Sequence, residues 1–207
     1  MGKFPQKIFK NTSVFAEKYF EEISKVSQTL DFKQINNICK LLERLYKNKK
    51  NIFICGNGGS ASISNHFLCD HQKGSSTNTK LSPKIISLSS NIEIITAISN
   101  DISFNEIFSF QLSKLANSGD CLITISSSGN SKNIILAIEW AKKNKLKTIS
   151  LNGFDGGKAN KISDLSVNVP SNNYGVVEDI HSSIMHILSQ SLRMKNLLDK
   201  KIEKVYF

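Results

Sequence analysis

Apolar side chains recur with the period of an amphipathic helix near both ends of the chain. In residues 8–49, apolar residues recur with helical periodicity, at Ile8, Phe15, Phe20 and Ile23 and then at Ile35, Ile38, Leu41, Leu42 and Leu45, which predicts two helices with a break near Asp31. Another helical pattern starts at about Tyr174, and we predict that this helix continues to the C-terminus. The region between these helices follows a different pattern.

Five short, continuously apolar runs occupy the middle of the chain, and each is followed by a turn of small or polar residues. They predict strands at residues 51–55, 84–90, 121–128, 146–152 and 165–170. Helical patterns between the strands run from GNGGS to about Gln72, from Ile92 to Leu115, and around IILAIEWAKKN. Apolar strands that alternate with helices indicate a parallel sheet covered on both faces, so the predicted class is α/β.

The length and composition fit one domain with a substantial core. The chain has 207 residues, of which 40% are hydrophobic. We assign residues 1–207 to a single domain, with residues 1–50 as a helical arm and residues 51–207 as the α/β core. No apolar run approaches the roughly 20 residues that span a bilayer, and the N-terminus lacks the apolar centre of a signal peptide. We therefore expect no membrane partner. The four cysteines show no CxxC pairing, and Cys55 and Cys121 lie in apolar, strand-like runs, which favours reduced thiols in a cytoplasmic protein.

The formal net charge of +10 raises the question of an anionic partner. The lysines are spread along helical faces and the C-terminal tail, and no basic stripe interleaved with aromatic residues is present. The pattern therefore does not favour a nucleic-acid partner. A small anionic ligand remains compatible with this charge.

Two small-residue loops follow predicted strands, at the edge of the sheet where ligands of α/β proteins bind. GNGGSA (56–61) fits a relaxed dinucleotide motif, but the second strand ends without the acidic residue that would hold a ribose. SSSGNS (126–131) brings four hydroxyls to a helix N-terminus, whereas an ordinary helix cap needs one. Hydroxyls and free backbone amides together favour a phosphate site.

Histidines and carboxylates on two predicted helices are candidates for proton transfer or metal binding. His66 and Asp70 are four residues apart and share a helix face, although an isolated pair of this kind is more often a surface contact. Glu178 and His186 are eight apart, about 80° around the helix. His186 lies among apolar residues, so a buried structural histidine is the alternative.

Taken in chain order, these motifs resemble those of the phosphoheptose isomerases of the sugar isomerase (SIS) domain family. The motifs are GNGGSA, His66 with Asp70, NDISFNEIF, SSSGNS, GFDGGK and EDIHSSIMHIL. The resemblance implies a flavodoxin-like three-layer sandwich with a five-stranded parallel sheet, a homotetramer in which the N-terminal arm packs, and a site shared between subunits. It also implies conversion of D-sedoheptulose 7-phosphate to D-glycero-D-manno-heptose 7-phosphate through an enediol.

The resemblance implies three sets of site residues. The phosphate and sugar would be held by Asn57, Gly58, Gly59, Ser60, Asn100, Asp101, Ser126, Ser127, Ser128 and Ser131. The catalytic residues would be Asp70, His186 and Glu178, with His186 as the acid–base partner opposite Asp70. One zinc ion per subunit would be bound by His66, Asp70, Glu178 and His186.

The sequence departs from the family pattern at three positions. Asp70 replaces the usual glutamate, Glu178 replaces the usual glutamine, and Gly175 stands where an aspartate is expected. Two nearby carboxylates would repel, so one of them would tend to hold a proton or a metal. The departures leave open whether Asp70 or Glu178 is the base. They also keep two alternatives, a non-catalytic sugar-phosphate-binding or regulatory protein and an isomerase of a different phosphosugar.

Overall fold

The computed structural model describes residues 3–199 of the chain, which form eight α-helices and one sheet. The helices are α1 (Thr12–Ser27), α2 (Phe32–Lys47), α3 (Gly59–Cys69), α4 (Ile92–Ile98), α5 (Ser109–Leu115), α6 (Lys132–Lys143), α7 (Gly157–Ile162) and α8 (Tyr174–Asn196). The strands are β1 (Asn51–Gly56), β2 (Lys84–Ser87), β3 (Cys121–Ser126), β4 (Lys147–Gly153) and β5 (Leu165–Val169). Within residues 3–199, no helix is both long enough and apolar enough to cross a bilayer.

All five strands are parallel, in the order β2-β1-β3-β4-β5. This is the flavodoxin-like order, and it confirms the predicted fold class. The chain leaves β1 toward one edge of the sheet and leaves β3 toward the other. A crevice therefore opens beyond the carboxyl ends of these two strands, where ligands bind in such sheets.

Each face of the sheet has its own apolar core, which explains why β1 carries apolar residues on both of its faces. Ile52 and Ile54 of β1 point into the core formed with α2, α3 and α8. Phe53 and Cys55 point into the core formed with α4, α5, α6 and α7. Side chains alternate between the two faces of a strand, so both faces need apolar residues here. Leu42 of α2 is fully buried, so α2 belongs to the core of its own chain.

The break predicted near Asp31 is confirmed, because the Asp31 side chain caps α2 by accepting from the Gln34 amide at 3.0 Å. The single helix predicted over 92–115 is wrong. After α4 the chain forms a π-helical turn at Ser99–Ser103 and a 3-10 turn at Phe104–Glu106 before α5. Ser103 adopts an extended backbone and accepts from the Asn105 amide, which ends helical continuity.

Other boundaries also differ from the sequence prediction. β2 ends at Ser87 and β3 at Ser126, two or three residues earlier than predicted. The short helix α7 was not predicted from its glycine-rich, polar sequence. The helix α8 ends at Asn196, so the predicted continuation fails for residues 197–199. The remainder of that prediction, over residues 200–207, lies outside the described residues.

Candidate active site

The loop after β1 is tied by two asparagine side chains to the first turn of α6, the helix that follows the loop after β3. The Asn57 amide donates to Asn133 Oδ1, and the Asn133 amide donates to Asn57 Oδ1, both at 3.0 Å. Asn133 lies in the first turn of α6 and is 2% exposed. Sequence reasoning missed Asn133, because a helical asparagine carries no signal that it will pair with a distant loop.

The loop of residues 126–131, called here the serine loop, wraps around the N-terminus of α6. The hydroxyls of Ser126 and Ser128 accept from the backbone amides of Gly129 and Asn130, at 3.2 Å each. Ser131 is the N-cap residue of α6, and its side chain makes no capping hydrogen bond within the described part of the chain. The hydroxyl is therefore not consumed by the ordinary helix cap that was the alternative interpretation.

The glycine-rich segment that runs from the end of β4 into α7, residues 153–159, packs against the serine loop and holds it in place. Gly153 donates its amide to the Ser127 carbonyl at 3.1 Å, and Ala159 donates to the Gly129 carbonyl at 2.9 Å. A Cβ at Gly129 would collide with the Gly156 carbonyl oxygen. The two backbones approach so closely that only glycine fits at this point. Since Ser126 and Ser127 are also buried, the loop is positioned before any ligand binds.

Three side chains from α3, its C-terminal end and α8 form a cluster, called here the His–Asp cluster. His66 Nε2 is 3.3 Å from Asp70 Oδ1, and His186 Nε2 is 3.5 Å from Asp70 Oδ2. The two imidazole rings meet edge to face, with centroids 5.1 Å apart. Each residue offers a ligand atom, and these atoms lie within 4.8 Å of one another. All three side chains are partly exposed, so a substrate or ion can reach them.

Asp70 is placed by a π-helical turn, Asp70–Gly74, that continues α3. Ser189 of α8 donates its hydroxyl to the Asp70 carbonyl at 3.0 Å. Behind Asp70, the buried His71 is stacked on Phe67 and lies 2.6 Å from the Tyr46 hydroxyl through Nδ1. Burial lowers the pKa of His71 to about 3, so it is a neutral structural group. These contacts anchor the turn to α2 and α8, and the Asp70 carboxylate is left to contact His66 and His186.

Glu178 is not brought into the His–Asp cluster. Its carboxylate lies against Gly59, where a Cβ would overlap both carboxylate oxygens. Eight residues on a helix are about 12 Å of rise, which separates Glu178 from His186 although the two project to similar sides. Burial, and secondarily the Asp179 carboxylate, raise the pKa of Glu178 above its usual range. Repulsion by Asp70, which the sequence suggested, is not the cause.

The other predicted substrate residues lie at two places. Gly58, Gly59 and Ser60 form the turn into α3, with Gly58 and Gly59 exposed and Ser60 buried. Asn100 and Asp101 are exposed in the π-helical turn after α4, where the Asn100 amide donates to Asp101 Oδ1 at 2.8 Å. Among residues 3–199, no hydrogen bond or ion pair joins Asn100 or Asp101 to the serine loop. Their role stays a prediction.

A cavity of about 550 Å³ opens beside the His–Asp cluster. Its lining comes from the π-helical turn and from α8, and consists of His66, Asp70, Lys73, Gly74, His186, Ser189, Gln190 and Arg193. A larger cavity of about 910 Å³ lies between the N-terminal segment and α1, away from these groups. The cavity at the cluster is the one that joins space for a ligand to acid–base chemistry.

Comparison with known proteins agrees with this architecture. A family model described as the SIS domain matches residues 16–153, which include the serine loop and the His66–Asp70 helix. A phosphoheptose isomerase of Helicobacter pylori (strain P12) is 40% identical over 168 residues, covering 81% of this chain and 86% of that protein.

Two solved structures extend the similarity to three dimensions. A phosphoheptose isomerase from Neisseria gonorrhoeae has a TM-score of 0.79 at 28% identity, covering 88% of this chain and 98% of the other. One from Francisella tularensis has a TM-score of 0.78 at 28% identity, covering 87% and 95%. The chain therefore belongs to the SIS domain family and, within it, to the phosphoheptose isomerases. It is accordingly an enzyme, an isomerase.

Proposed function

We propose that the enzyme converts D-sedoheptulose 7-phosphate to D-glycero-D-manno-heptose 7-phosphate by proton transfer through an enediol. The observation that carries this proposal is the His–Asp cluster, which places a carboxylate between two imidazoles beside a ligand-sized cavity. Isomerisation of a ketose to an aldose needs a base that takes a proton from carbon 1 and returns it to carbon 2. It also needs an acid that gives a proton to the oxygen on carbon 2 and removes one from the oxygen on carbon 1.

The serine loop is the proposed phosphate site. Hydroxyls of Ser126, Ser128 and Ser131 surround the N-terminus of α6, where backbone amides and the helix dipole favour an anion. Ser127 and the Asn57–Ser60 turn complete the wall, since Asn57 is bonded to Asn133 in the first turn of α6, directly after the serine loop. Asn100 and Asp101 are proposed sugar contacts. The phosphate thereby anchors the substrate and leaves its other end for the chemistry.

Asp70 is the proposed base and His186 the proposed acid, because they are adjacent and both border the cavity. Imidazole matches an acid that must donate and regain a proton near neutral pH. Glu178 is the alternative base. Its raised pKa suits proton transfer, and its place at the Gly59 turn suits the sugar end nearer the phosphate.

The His–Asp cluster also fits a zinc ion. Two imidazole nitrogens and one carboxylate oxygen form a common set of protein ligands at open zinc sites. With zinc bound, His66, Asp70 and His186 would hold the metal, and proton transfer would fall to Glu178, the alternative base. Glu178 would itself bind zinc only after a movement of its side chain. Bound zinc would supply a Lewis acid for the sugar oxygens. We propose one zinc per subunit.

The proposed assembly is a homotetramer with sites shared between subunits. His66 lies seven residues beyond Gly59 on α3, about 10 Å of rise away from the crevice that holds the serine loop. A serine loop from one subunit facing the cluster of another would bring phosphate binding and chemistry together. We further propose a cytoplasmic enzyme of heptose biosynthesis, serving lipopolysaccharide or capsule.

Turnover of sedoheptulose 7-phosphate by the wild type, His186→Gln and Asp70→Asn tests the proposal. We expect wild-type activity and a loss of about 10²- to 10⁴-fold in kcat for each variant, because general acid–base catalysis contributes that much. Lys73→Gln, which borders the cavity without a proposed proton-transfer role, is the comparison variant for charge and local change. Absent wild-type turnover, or catalytic variants as fast as the wild type, would refute the proposal.

A different phosphosugar is the second candidate, favoured by the shorter Asp70 side chain and by Glu178 at the Gly59 turn. Both change the shape of the sugar site without removing the phosphate site. A panel of six- and seven-carbon sugar phosphates, compared by kcat/KM, separates the candidates. A clear preference for the heptose would remove the second one.

A further inference from the structure

Tyr19 of α1 reaches the first turns of α8. Its hydroxyl donates to Asp179 Oδ2 at 2.7 Å. The Tyr19 hydroxyl oxygen also lies 2.6 Å from the place where a Cβ would stand at residue 175. Any side chain at residue 175 would therefore displace the Tyr19 hydroxyl, so Gly175 permits this contact.

Aromatic packing sets the direction of the Tyr19 side chain. Its ring lies 6.0 Å from the ring of Phe15 and 6.1 Å from that of Phe4, measured between centroids. Such pairs restrict ring orientation and add attraction beyond burial. Because these contacts fix the orientation of the ring, they also hold the Tyr19 hydroxyl at Asp179.

Glu178 precedes Asp179 and points in another direction. Successive residues on a helix are about 100° apart, so a bond to Asp179 restrains rotation of this part of α8 about its axis. The same rotation decides whether the Glu178 carboxylate reaches Gly59. Gly59 is the first residue of α3 and lies two residues after Asn57. The Asn57 side chain is bonded to Asn133 in the first turn of α6, next to the serine loop.

We propose that Tyr19 is a positioning residue, which holds Asp179 so that the first turns of α8 present Glu178 to the Gly59 turn. The inference rests on the proposed function with Glu178 as the base, the alternative assignment given above, and deepens it, because it connects helix α1 to the chemistry of the site. Tyr19 does not touch the substrate in this arrangement. Its effect on turnover passes through Glu178.

Tyr19→Phe tests the inference, since it keeps the ring and removes only the donor. We expect kcat to fall about tenfold, the factor expected for one hydrogen bond to a charged group. KM is expected to change little, because the serine loop is not altered. Tyr174→Phe is the matched control. It removes a hydroxyl from the first residue of α8, where the ring packs on Phe154, and should leave kcat unchanged.

Two backgrounds distinguish positioning from a general structural role. In Glu178→Gln, Tyr19→Phe should cause no further loss of kcat, whereas a structural defect would lower kcat by the same factor in both backgrounds. Gly175→Ala should reproduce the tenfold loss of kcat. The double variant, Gly175→Ala with Tyr19→Phe, should have the same kcat as Gly175→Ala alone. The inference is overturned if Tyr19→Phe is as fast as the wild type or if its loss persists in Glu178→Gln. An inactive wild type would instead overturn the proposed function.

Discussion

His66, Asp70 and His186 illustrate how far residue spacing alone predicts a site. Spacing of four put His66 and Asp70 on one helix face, and the structure adds His186 at 3.5 Å from Asp70. For Glu178, the angle around α8 suggested the same cluster, but the rise along the helix places it elsewhere. Angular position and axial distance must both agree before two helical residues share a ligand.

Metal content is the residue-scale test of this ligand set. Protein purified without chelator should contain about one zinc per subunit by elemental analysis, and His66→Gln should lose most of it. Glu178→Gln, the matched control, should retain zinc because the Glu178 carboxylate lies at Gly59. Loss of zinc in both variants would show that Glu178 is a ligand. Undiminished activity of fully metal-free protein would exclude a catalytic metal.

His181 gives a prediction for stability against pH. It is fully buried with Nε2 3.0 Å from the Asn152 carbonyl, and burial lowers its pKa to about 4. An unfolded histidine titrates near 6.5, so between about pH 6.5 and pH 4 the unfolded chain binds a proton that the folded chain excludes. This contribution lowers the free energy of unfolding by about 1.4 kcal/mol per pH unit as pH falls, and is flat above about 6.5.

Urea denaturation of the wild type and His181→Gln measures this effect. Between about pH 7.5 and about pH 5, the variant should lose about 2 kcal/mol less stability than the wild type. The absolute stability of the variant is expected to be lower at both pH values, because a buried ring is removed. An identical pH dependence in the two proteins would contradict the assignment.

At the scale of elements, the serine loop and the β4–α7 loop form one unit. Gly129 has φ +61°, and a Cβ there would strike the Gly156 backbone, which cannot rotate away as a side chain can. The unit explains why α7, only six residues long, is present despite a polar sequence. Its backbone is bonded to the serine loop through Gly129 and Asn130.

Gly129→Ala should therefore lower the free energy of unfolding by about 3 kcal/mol, combining left-handed backbone strain with overpacking. Gly74→Ala is the matched control. Among the residues that the structure describes, a Cβ at Gly74 meets only the Ser189 hydroxyl, at an ordinary 3.4 Å, and the change should stay within about 0.5 kcal/mol. Chemical denaturation of both variants measures the difference. Equal stabilities would show that the two loops are not interlocked.

At the scale of the whole molecule, the separation between the serine loop and the His–Asp cluster predicts complementation. Ser128→Ala should damage phosphate binding, and His186→Gln should damage chemistry. If sites are shared, a mixed oligomer of the two inactive variants contains some sites that combine two intact halves. Mixing after dissociation and reassembly should then restore part of the activity, with light scattering giving a tetramer mass. No recovery from verified mixed tetramers would place each site within one chain.

The sequence by itself determined the class of fold and the order of most elements. In the run NIFIC, residues 52–55 are all apolar because both faces of the sheet are covered, and the strand order follows the flavodoxin pattern. The break at Asp31 was readable because a helix cap is a local interaction. Boundaries in 92–115 were not readable, since π and 3-10 turns keep apolar spacing close to that of an α-helix.

Only the tertiary structure decided how the site is assembled. The Asn57–Asn133 pair, the support of Asp70 by Ser189, and the contact of Tyr19 with Asp179 join residues 76, 119 and 160 positions apart. No local propensity specifies such contacts, because they depend on the packing of α1, α3, α6 and α8 around the sheet. The sequence therefore named the chemical groups, and packing decided that Asp70 joins two histidines while Glu178 stands at the Gly59 turn.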